Sequence, residues 1–169
     1  MHKMTVEFLM NAFAGESQAH VKYAIFAEEC EKKGHKNLAN MFKAISHAEY
    51  VHARGHFLAV GKLGDTAMNL QTALDGENFE IDEMYPVYHE AAKFQQEKDA
   101  VRTTKYAMEA EKIHANMYAK ALELVKSGKD YPAAKVHICE ICGHTVENEA
   151  PDKCPVCNAK KDFFRCFSA

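Results

Sequence analysis

The chain has 169 residues, of which 27% are charged, and its formal net charge is -3. This length allows one ordinary domain, or one domain joined to a small module that folds around a metal ion. Lysine and arginine form no cluster, so the composition favours neither nucleic acid nor a charged membrane surface as a partner. The chain shows neither a leader-like N-terminus nor an apolar run of roughly eighteen residues, so we expect a cytoplasmic protein.

Residues 1–127 are predicted to form a bundle of four helices. Apolar residues recur at helical spacing, with breaks at Gly34, between Gly61 and Gly64, and near Ala100. The predicted helices are residues 3–32, 36–62, 66–98 and 100–127. Short connections favour antiparallel neighbours, which is the arrangement of a four-helix bundle. Pro86 lies inside the third helix and should kink it, because proline lacks a backbone N–H.

The composition changes after the fourth helix. Residues 128–135 are typical of a linker, and residues 136–169 form a separate small domain with two Cys-x-x-Cys pairs. The paired cysteines are Cys139, Cys142, Cys154 and Cys157. A gap of two residues lets both sulfurs of a pair reach one tetrahedral ion, so the pairs predict a metal site. The spacing alone does not distinguish zinc from iron. Cys30 and Cys166 stand alone in the sequence and are assigned no role.

Glutamate interrupts the apolar stripe of each predicted helix. The interrupting residues are Glu16, Glu49, Glu77, Glu80 and Glu111, and His52 and His114 follow Glu49 and Glu111 by three residues. Residues three apart in a helix lie on one face, so each Glu-x-x-His motif projects in one direction. An isolated ionised carboxylate in a core costs several kcal/mol. Five carboxylates at one level of a bundle therefore indicate cations between them.

The glutamates and histidines fit a two-metal site. Such bundles place one glutamate on each of two helices and a Glu-x-x-His on each of the other two. Glu16 and Glu77 supply the single ligands, and Glu80 is left over. Oxygen-rich ligation suits iron or manganese better than copper or zinc. Tyr23 and Tyr85 are candidates to hydrogen-bond a ligand carboxylate, although plain core packing explains both equally well.

These residues resemble those of the rubrerythrin family over nearly the whole chain. The resemblance is carried by Ala14-Gly15-Glu16-Ser17-Gln18-Ala19, Glu49-x-x-His52, Gly76-Glu77-x-x-Glu80, Glu83-Met84-Tyr85-Pro86, Glu111-x-x-His114 and the two cysteine pairs. It implies an all-α, ferritin-like four-helix bundle with a small C-terminal rubredoxin-like β/knuckle domain. It also implies two irons in the bundle and one at the four cysteines, with zinc possible by substitution.

By this resemblance, Glu16, Glu49, Glu77, Glu80, Glu111 and His114 match the ligands of the oxidised iron pair. His52 matches a residue that replaces Glu80 on one iron when the pair is reduced. Replacing an anionic ligand by a neutral one suits the smaller charge of ferrous iron. The implied catalytic residues are His52 and Glu80, with Tyr23 and Tyr85 beside them.

The implied activity is a non-haem di-iron peroxidase that protects against oxidative stress. It reduces hydrogen peroxide to water with electrons that arrive through the cysteine-bound iron. The implied partners are an NAD(P)H-dependent rubredoxin-type reductase or a rubredoxin, and a second copy of the chain. In that homodimer, one subunit's cysteine-bound iron lies near the partner's iron pair.

Two alternatives stay open from the sequence. The first is a ferroxidase or iron-storage bundle, and the second is a non-catalytic zinc-ribbon module on a helical scaffold. The sequence also departs from the family at two points: the connection from Gly61 to Asp65 is short, and His144 stands where an aromatic residue is common. These departures touch no expected ligand.

Overall fold

The structure, a computed structural model, describes residues 1–168 and is mostly helical. Its helices are α1 (Lys3–Lys32), α2 (Lys36–Val60), α3 (Thr66–Phe79), α4 (Tyr85–Phe94) and α5 (Lys98–Lys126). The strands are β1 (Lys135–Cys139), β2 (Thr145–Glu147) and β3 (Phe164–Ser168). The described residues form two compact units, which we call the N-terminal unit (Met1–Gly64) and the C-terminal unit (from Asp65 onward). No helix among them is long and apolar enough to cross a membrane.

The N-terminal unit is a hairpin of α1 and α2. Its buried side chains are all small, namely Ala27, Ala39, Ser46 and Ala53. Small residues let the two helix backbones approach closely. The Ser46 hydroxyl donates to the His20 carbonyl oxygen at 2.8 Å, and His20 Nδ1 lies 2.8 Å from the Ser46 carbonyl oxygen. These bonds fix the register of the hairpin close to the expected ligands on both helices.

In the C-terminal unit, α3 and α4 pack against α5. The third predicted helix is interrupted by a π-helical turn, Glu80–Met84, where the Tyr85 N–H donates to the Glu80 carbonyl oxygen. The distortion expected at Pro86 is therefore already present one turn earlier. Proline cannot donate to the carbonyl four residues before it, which favours a changed hydrogen-bond pattern there. Such π-turns are frequent at functional sites.

The connection between α4 and α5 lies earlier than predicted. It is formed by residues 95–97, whereas the sequence placed the break near Ala100. Gln96 has a φ of 59°, in the left-handed region that ends a helix.

The C-terminal module, residues 135–168, contains a three-stranded antiparallel sheet with the order β2-β1-β3. Strand β1 ends at Cys139, and the following turn carries Cys142 and Gly143. Gly143 has a φ of 78°, which a residue with a side chain rarely adopts. A mostly helical chain with four long helical segments and a small C-terminal four-cysteine module confirms the expected fold class.

Candidate metal centres

The four-cysteine centre lies in the C-terminal module. Sγ of Cys139 is 3.6 Å from Sγ of Cys157, and Sγ of Cys142 is 3.5 Å from Sγ of Cys154. All four sulfurs lie within 4.8 Å of one another. A tetrahedral ion with metal–sulfur bonds of about 2.3 Å needs sulfurs about 3.8 Å apart. The four sulfurs therefore already stand close to the geometry that one iron or zinc ion requires.

The ionisation of the cysteines also points to a cation. Burial raises the pKa of Cys142, and hydrogen bonds with the other three thiols raise it further. Burial also raises the pKa of Cys154, but hydrogen bonds from the N–H groups of Cys157 and Val156 and with the thiols of Cys142 and Cys157 together make the net shift downward. Without a metal, one thiolate is therefore favoured over four. A bound cation makes four thiolates favourable, because it compensates their mutual repulsion.

The N-terminal unit holds a first cluster, Glu16, Glu49 and His52, which we call the N-terminal triad. One ligand atom from each residue lies within 4.8 Å of the others. Glu49 and His52 lie one turn apart on α2, and His52 Nδ1 is 3.0 Å from Glu49 Oε2. The His52 side chain is 56% exposed, against 17% for Glu49. The histidine of this triad therefore has room to move.

The C-terminal unit holds a second cluster, Glu77, Glu111 and His114, which we call the C-terminal triad. Helix α3 supplies Glu77, and α5 supplies the Glu-x-x-His pair. His114 Nδ1 lies 2.6 Å from Glu111 Oε2 and 3.8 Å from Glu77 Oε1. One ligand atom from each of these three residues again lies within 4.8 Å of the others.

The carboxylates of the C-terminal triad repel one another in the absence of metal. The pKa of Glu77 is raised from its usual 4.5 to about 8, first by burial, then by a hydrogen bond and charge repulsion from Glu111 and by the charge of Glu80. The raised pKa favours the protonated form of Glu77 at neutral pH. A divalent cation in this position takes the place of that proton, so the donor set fits a metal ion.

Glu80 lies beside the C-terminal triad without being part of it. Burial and the charge of Glu111 raise its pKa, and His114 opposes the shift. As the first residue of the π-helical turn, Glu80 sits where the backbone is least regular. Glu80, the glutamate left over from the expected ligand set, therefore lies close to the C-terminal triad but is not one of its three residues.

Two tyrosines lie near the same carboxylates. Burial raises the pKa of Tyr85, and the charges of Glu80, Glu111 and Glu77 raise it further. Burial also raises the pKa of Tyr118, and the charges of Glu77 and Glu111 raise it further. Tyr118 was not among the predicted site residues, although it follows His114 by four residues and so lies on the same face of α5.

Tyr23 has different surroundings. It belongs to an aromatic cluster in the N-terminal unit, with its ring centroid 6.2 Å from that of Phe26 and 6.1 Å from that of Phe42. These separations are within the range of favourable ring contacts. The contacts described for Tyr23 are therefore packing contacts.

The four-cysteine module packs against α5 of its own chain. Tyr106 lies against the cysteine cluster, and a Cβ on Gly143 would meet Cβ of Ala110 at 3.6 Å. From β2, the Thr145 hydroxyl lies 2.7 Å from His114 Nε2. Helix α5 therefore carries two residues of the C-terminal triad and also packs against the four-cysteine module.

The fold and the donor sets define a class: a helical metal-binding protein with a carboxylate–histidine donor set and a separate set of four thiolates. Residues 7–122 match the family described as rubrerythrin, and residues 137–165 match its rubredoxin-like domain. The chain belongs to the rubrerythrin family.

Similar proteins cover almost the whole chain. Rubrerythrin-2 of Clostridium acetobutylicum is 44% identical, over 97% of this chain and 97% of that protein. Nigerythrin of Nitratidesulfovibrio vulgaris is 30% identical, over 96% of this chain and 86% of that protein. Among solved structures, the partially reduced state of nigerythrin aligns with a TM-score of 0.56 at 30% identity, with the same two coverages.

Membership of the family and the donor chemistry together assign iron as the cofactor of both centres. The glutamate–histidine residues form a di-iron donor set, and the four cysteines form a rubredoxin-like one. Carboxylates with a few imidazoles suit iron, and four thiolates suit iron as well. The protein is thus a di-iron, rubredoxin-like member of an oxidoreductase-type family.

Proposed function

We propose that this protein is a non-haem di-iron peroxidase that reduces hydrogen peroxide to water in the cytoplasm and so protects against oxidative stress. Each peroxide takes up two electrons and two protons, its O–O bond breaks, and two water molecules form. One observation carries the proposal: the four-cysteine module packs on α5, where Thr145 contacts His114 of the C-terminal triad. This contact supports electron transfer from the cysteine-bound iron to the carboxylate–histidine site.

The proposed ligands of the oxidised iron pair come from both triads together with Glu80. They are Glu16, Glu49, Glu77, Glu80, Glu111 and His114. Bound iron supplies the electrons for cleavage of the O–O bond. Cys139, Cys142, Cys154 and Cys157 hold the third iron. The crowding of Glu77 against Glu111 supports this assignment, because a metal ion relieves it.

His52 and Glu80 are the proposed exchanging ligands. His52 is more than half exposed, and its described polar contact is with Glu49, so its ring can turn at little cost. Glu80 stands outside the C-terminal triad at a π-helical turn. Both residues therefore have the freedom that a change of ligand requires.

The tyrosines have proposed roles around the ligands. The raised pKa of Tyr85 keeps its hydroxyl protonated, so Tyr85 can donate a hydrogen bond to a ligand carboxylate or to peroxide. Tyr23 belongs to an aromatic cluster on α1 and α2, which supports a role in excluding water.

Electrons are proposed to come from an NAD(P)H-dependent rubredoxin-type reductase or from a rubredoxin, and the working form is proposed to be a homodimer. The rubredoxin-like module supports the first part, since an iron–tetrathiolate centre carries one electron at a time. In the proposed homodimer, the cysteine-bound iron of one subunit lies near the iron pair of the partner subunit and delivers electrons to it.

Metal analysis combined with an anaerobic peroxide titration tests the proposal. We expect two irons for the glutamate–histidine ligands and one for the cysteines in each chain. The red colour of the oxidised tetrathiolate should bleach on reduction and return as peroxide is added, at one peroxide for every two electrons. Zinc at the cysteines would contradict the proposed electron transfer, because zinc has no redox chemistry. Oxidation and retention of excess ferrous ion, without reaction of the reduced protein with peroxide, would instead identify a ferroxidase.

A further inference from the structure

Thr145 joins the two metal centres of the C-terminal unit. It is the first residue of β2, follows Cys142 by three positions and is only 4% exposed. Its hydroxyl donates to the carbonyl oxygen of Gly143 at 3.0 Å and lies 2.7 Å from His114 Nε2. A buried threonine of the cysteine module therefore contacts a residue of the C-terminal triad directly.

The contacts of His114 indicate which of its nitrogens would bind metal. The Thr145 hydroxyl can donate its one hydrogen to the Gly143 carbonyl oxygen and accept on its lone pairs. When Nδ1 binds metal, the hydrogen of the neutral imidazole is on Nε2, which then donates to Thr145 Oγ1. Nδ1 is the atom that faces Glu111 and Glu77.

We propose that Thr145 is a positioning residue that holds the ring of His114, so that Nδ1 is presented to the metal site. The same contact joins the cysteine module to that proposed ligand within one chain. The inference rests on the iron-binding part of the proposed function and not on the reaction with peroxide. The bond is shielded from water by the burial of Thr145, so solvent does not readily replace it.

A second contact of the same strand provides an internal control. Glu147 lies two residues after Thr145, on the same face of β2, and pairs with Lys120 of α5 at 3.0 Å. This pair helps to dock the module but contacts no residue of the triad. Changing Glu147 perturbs docking alone, whereas changing Thr145 also removes the partner of His114.

The test compares Thr145→Val, Thr145→Ser and Glu147→Gln with the unchanged full chain. Each protein is loaded with zinc, which is diamagnetic, and labelled with 15N in its histidines. Two-bond 1H–15N correlations then report which His114 nitrogen carries hydrogen and which binds metal. Competition with a chelator gives the zinc affinity of the glutamate–histidine site.

We expect the unchanged protein and Thr145→Ser to show a hydrogen on Nε2 that exchanges slowly with solvent. Thr145→Val should lose that slow exchange and bind zinc about 10–100-fold more weakly at the glutamate–histidine site, the usual loss when a hydrogen-bond partner of a ligand is removed. Glu147→Gln should keep both properties. Valine has nearly the same shape as threonine and favours strands, so the fold of β2 should survive.

Two results would overturn the inference: a Thr145→Val protein with unchanged exchange and affinity, or equal losses in Thr145→Val and Glu147→Gln. Zinc carries out no redox chemistry, so these readouts do not depend on peroxide turnover. The peroxide titration above can fail while the tautomer test succeeds, and the reverse is also possible. Failure of the two ideas is therefore distinguishable.

Discussion

The two triads have the same composition, two glutamates and one histidine, but differ in how firmly the protein holds them. In the C-terminal triad, His114 is 28% exposed and bonded on both sides, to Glu111 through Nδ1 and to Thr145 through Nε2. In the N-terminal triad, His52 is 56% exposed and its described polar contact is with Glu49. One histidine is fixed before metal binds, and the other is free to turn.

This difference separates two uses of the same motif. A ligand held from both sides stabilises a metal site because little entropy is lost when the metal binds. A ligand held from one side suits a residue that binds metal in only one oxidation state. The comparison therefore predicts unequal effects of equivalent changes in the two triads.

The largest expected effect comes from removing each histidine in turn. His114→Ala should lower iron affinity by more than the 10–100-fold typical of losing only a ligand's hydrogen-bond partner, because a ligand itself is lost. His52→Ala should leave ferric iron bound and lower peroxide turnover at least about tenfold, as expected when a ligand of the reduced state is removed. Iron content and stopped-flow rates measure the two effects.

His20→Ala is a suitable control, since His20 is a half-buried histidine of α1 that belongs to neither triad. It should lower stability through lost contacts with Ser46 and leave the iron content of the folded protein intact. If His52→Ala loses ferric iron as fully as His114→Ala, the two triads are equivalent and the proposed exchange with Glu80 is wrong.

A second effect follows from the raised pKa of Glu77. This carboxyl has a pKa of about 8 in the folded metal-free protein and 4.5 as its usual value. Between these pH values the unfolded chain releases the proton and the folded chain keeps it, so the free energy of unfolding should fall as pH rises from 4.5 to 8. Metal affinity should rise over the same range, because the metal replaces the proton.

Urea unfolding of the metal-free protein at several pH values measures this slope, and Glu77→Gln should flatten it because glutamine stays neutral. Glu123→Gln, at an exposed glutamate of α5 paired with Lys126, should leave it unchanged. An equal slope in the Glu77→Gln protein would show that other groups cause the pH dependence.

The clustering of the proposed ligand residues was predictable because its signal in the sequence is local. Glu-x-x-His and Cys-x-x-Cys each fix two donors on one face or one turn, and a carboxylate in an apolar stripe is conspicuous. The structure brings Glu49 together with His52, and Glu111 with His114, as the spacing requires. The third member of each triad comes from another helix, and the amphipathic pattern was enough to select it.

What the sequence left unassigned depends on tertiary contacts. Thr145 reaches His114 across 31 positions, and nothing in the spacing around the cysteines marks it. The π-helical turn begins at Glu80, six residues before the proline that signalled a distortion, so its position follows from packing as well as from composition. Tyr118 could have been found from its spacing to His114, but tyrosine at that position is also ordinary core composition.

The smallest expected effect concerns the ion pair between Glu147 of β2 and Lys120 of α5. Glu147 accepts hydrogen bonds from Lys120 and from the Tyr131 hydroxyl, and these two contacts hold its pKa below the usual range. A carboxylate with a lowered pKa stabilises the fold above its usual pKa and loses that contribution as pH falls through its folded value.

Because Lys120 is 46% exposed, Lys120→Met should cost only about 0.5–1 kcal/mol, lowering Tm by roughly 1–4 °C. Calorimetry of the metal-loaded protein measures this loss, and added salt should shrink it. Lys126→Met, which breaks a pair within α5, is the matched control. If both changes lower stability equally, the Glu147–Lys120 ion pair adds nothing to the docking of the module. The contacts of Thr145 with His114 and of Gly143 with Ala110 must then hold the module on α5, beside the triad whose histidine is better fixed.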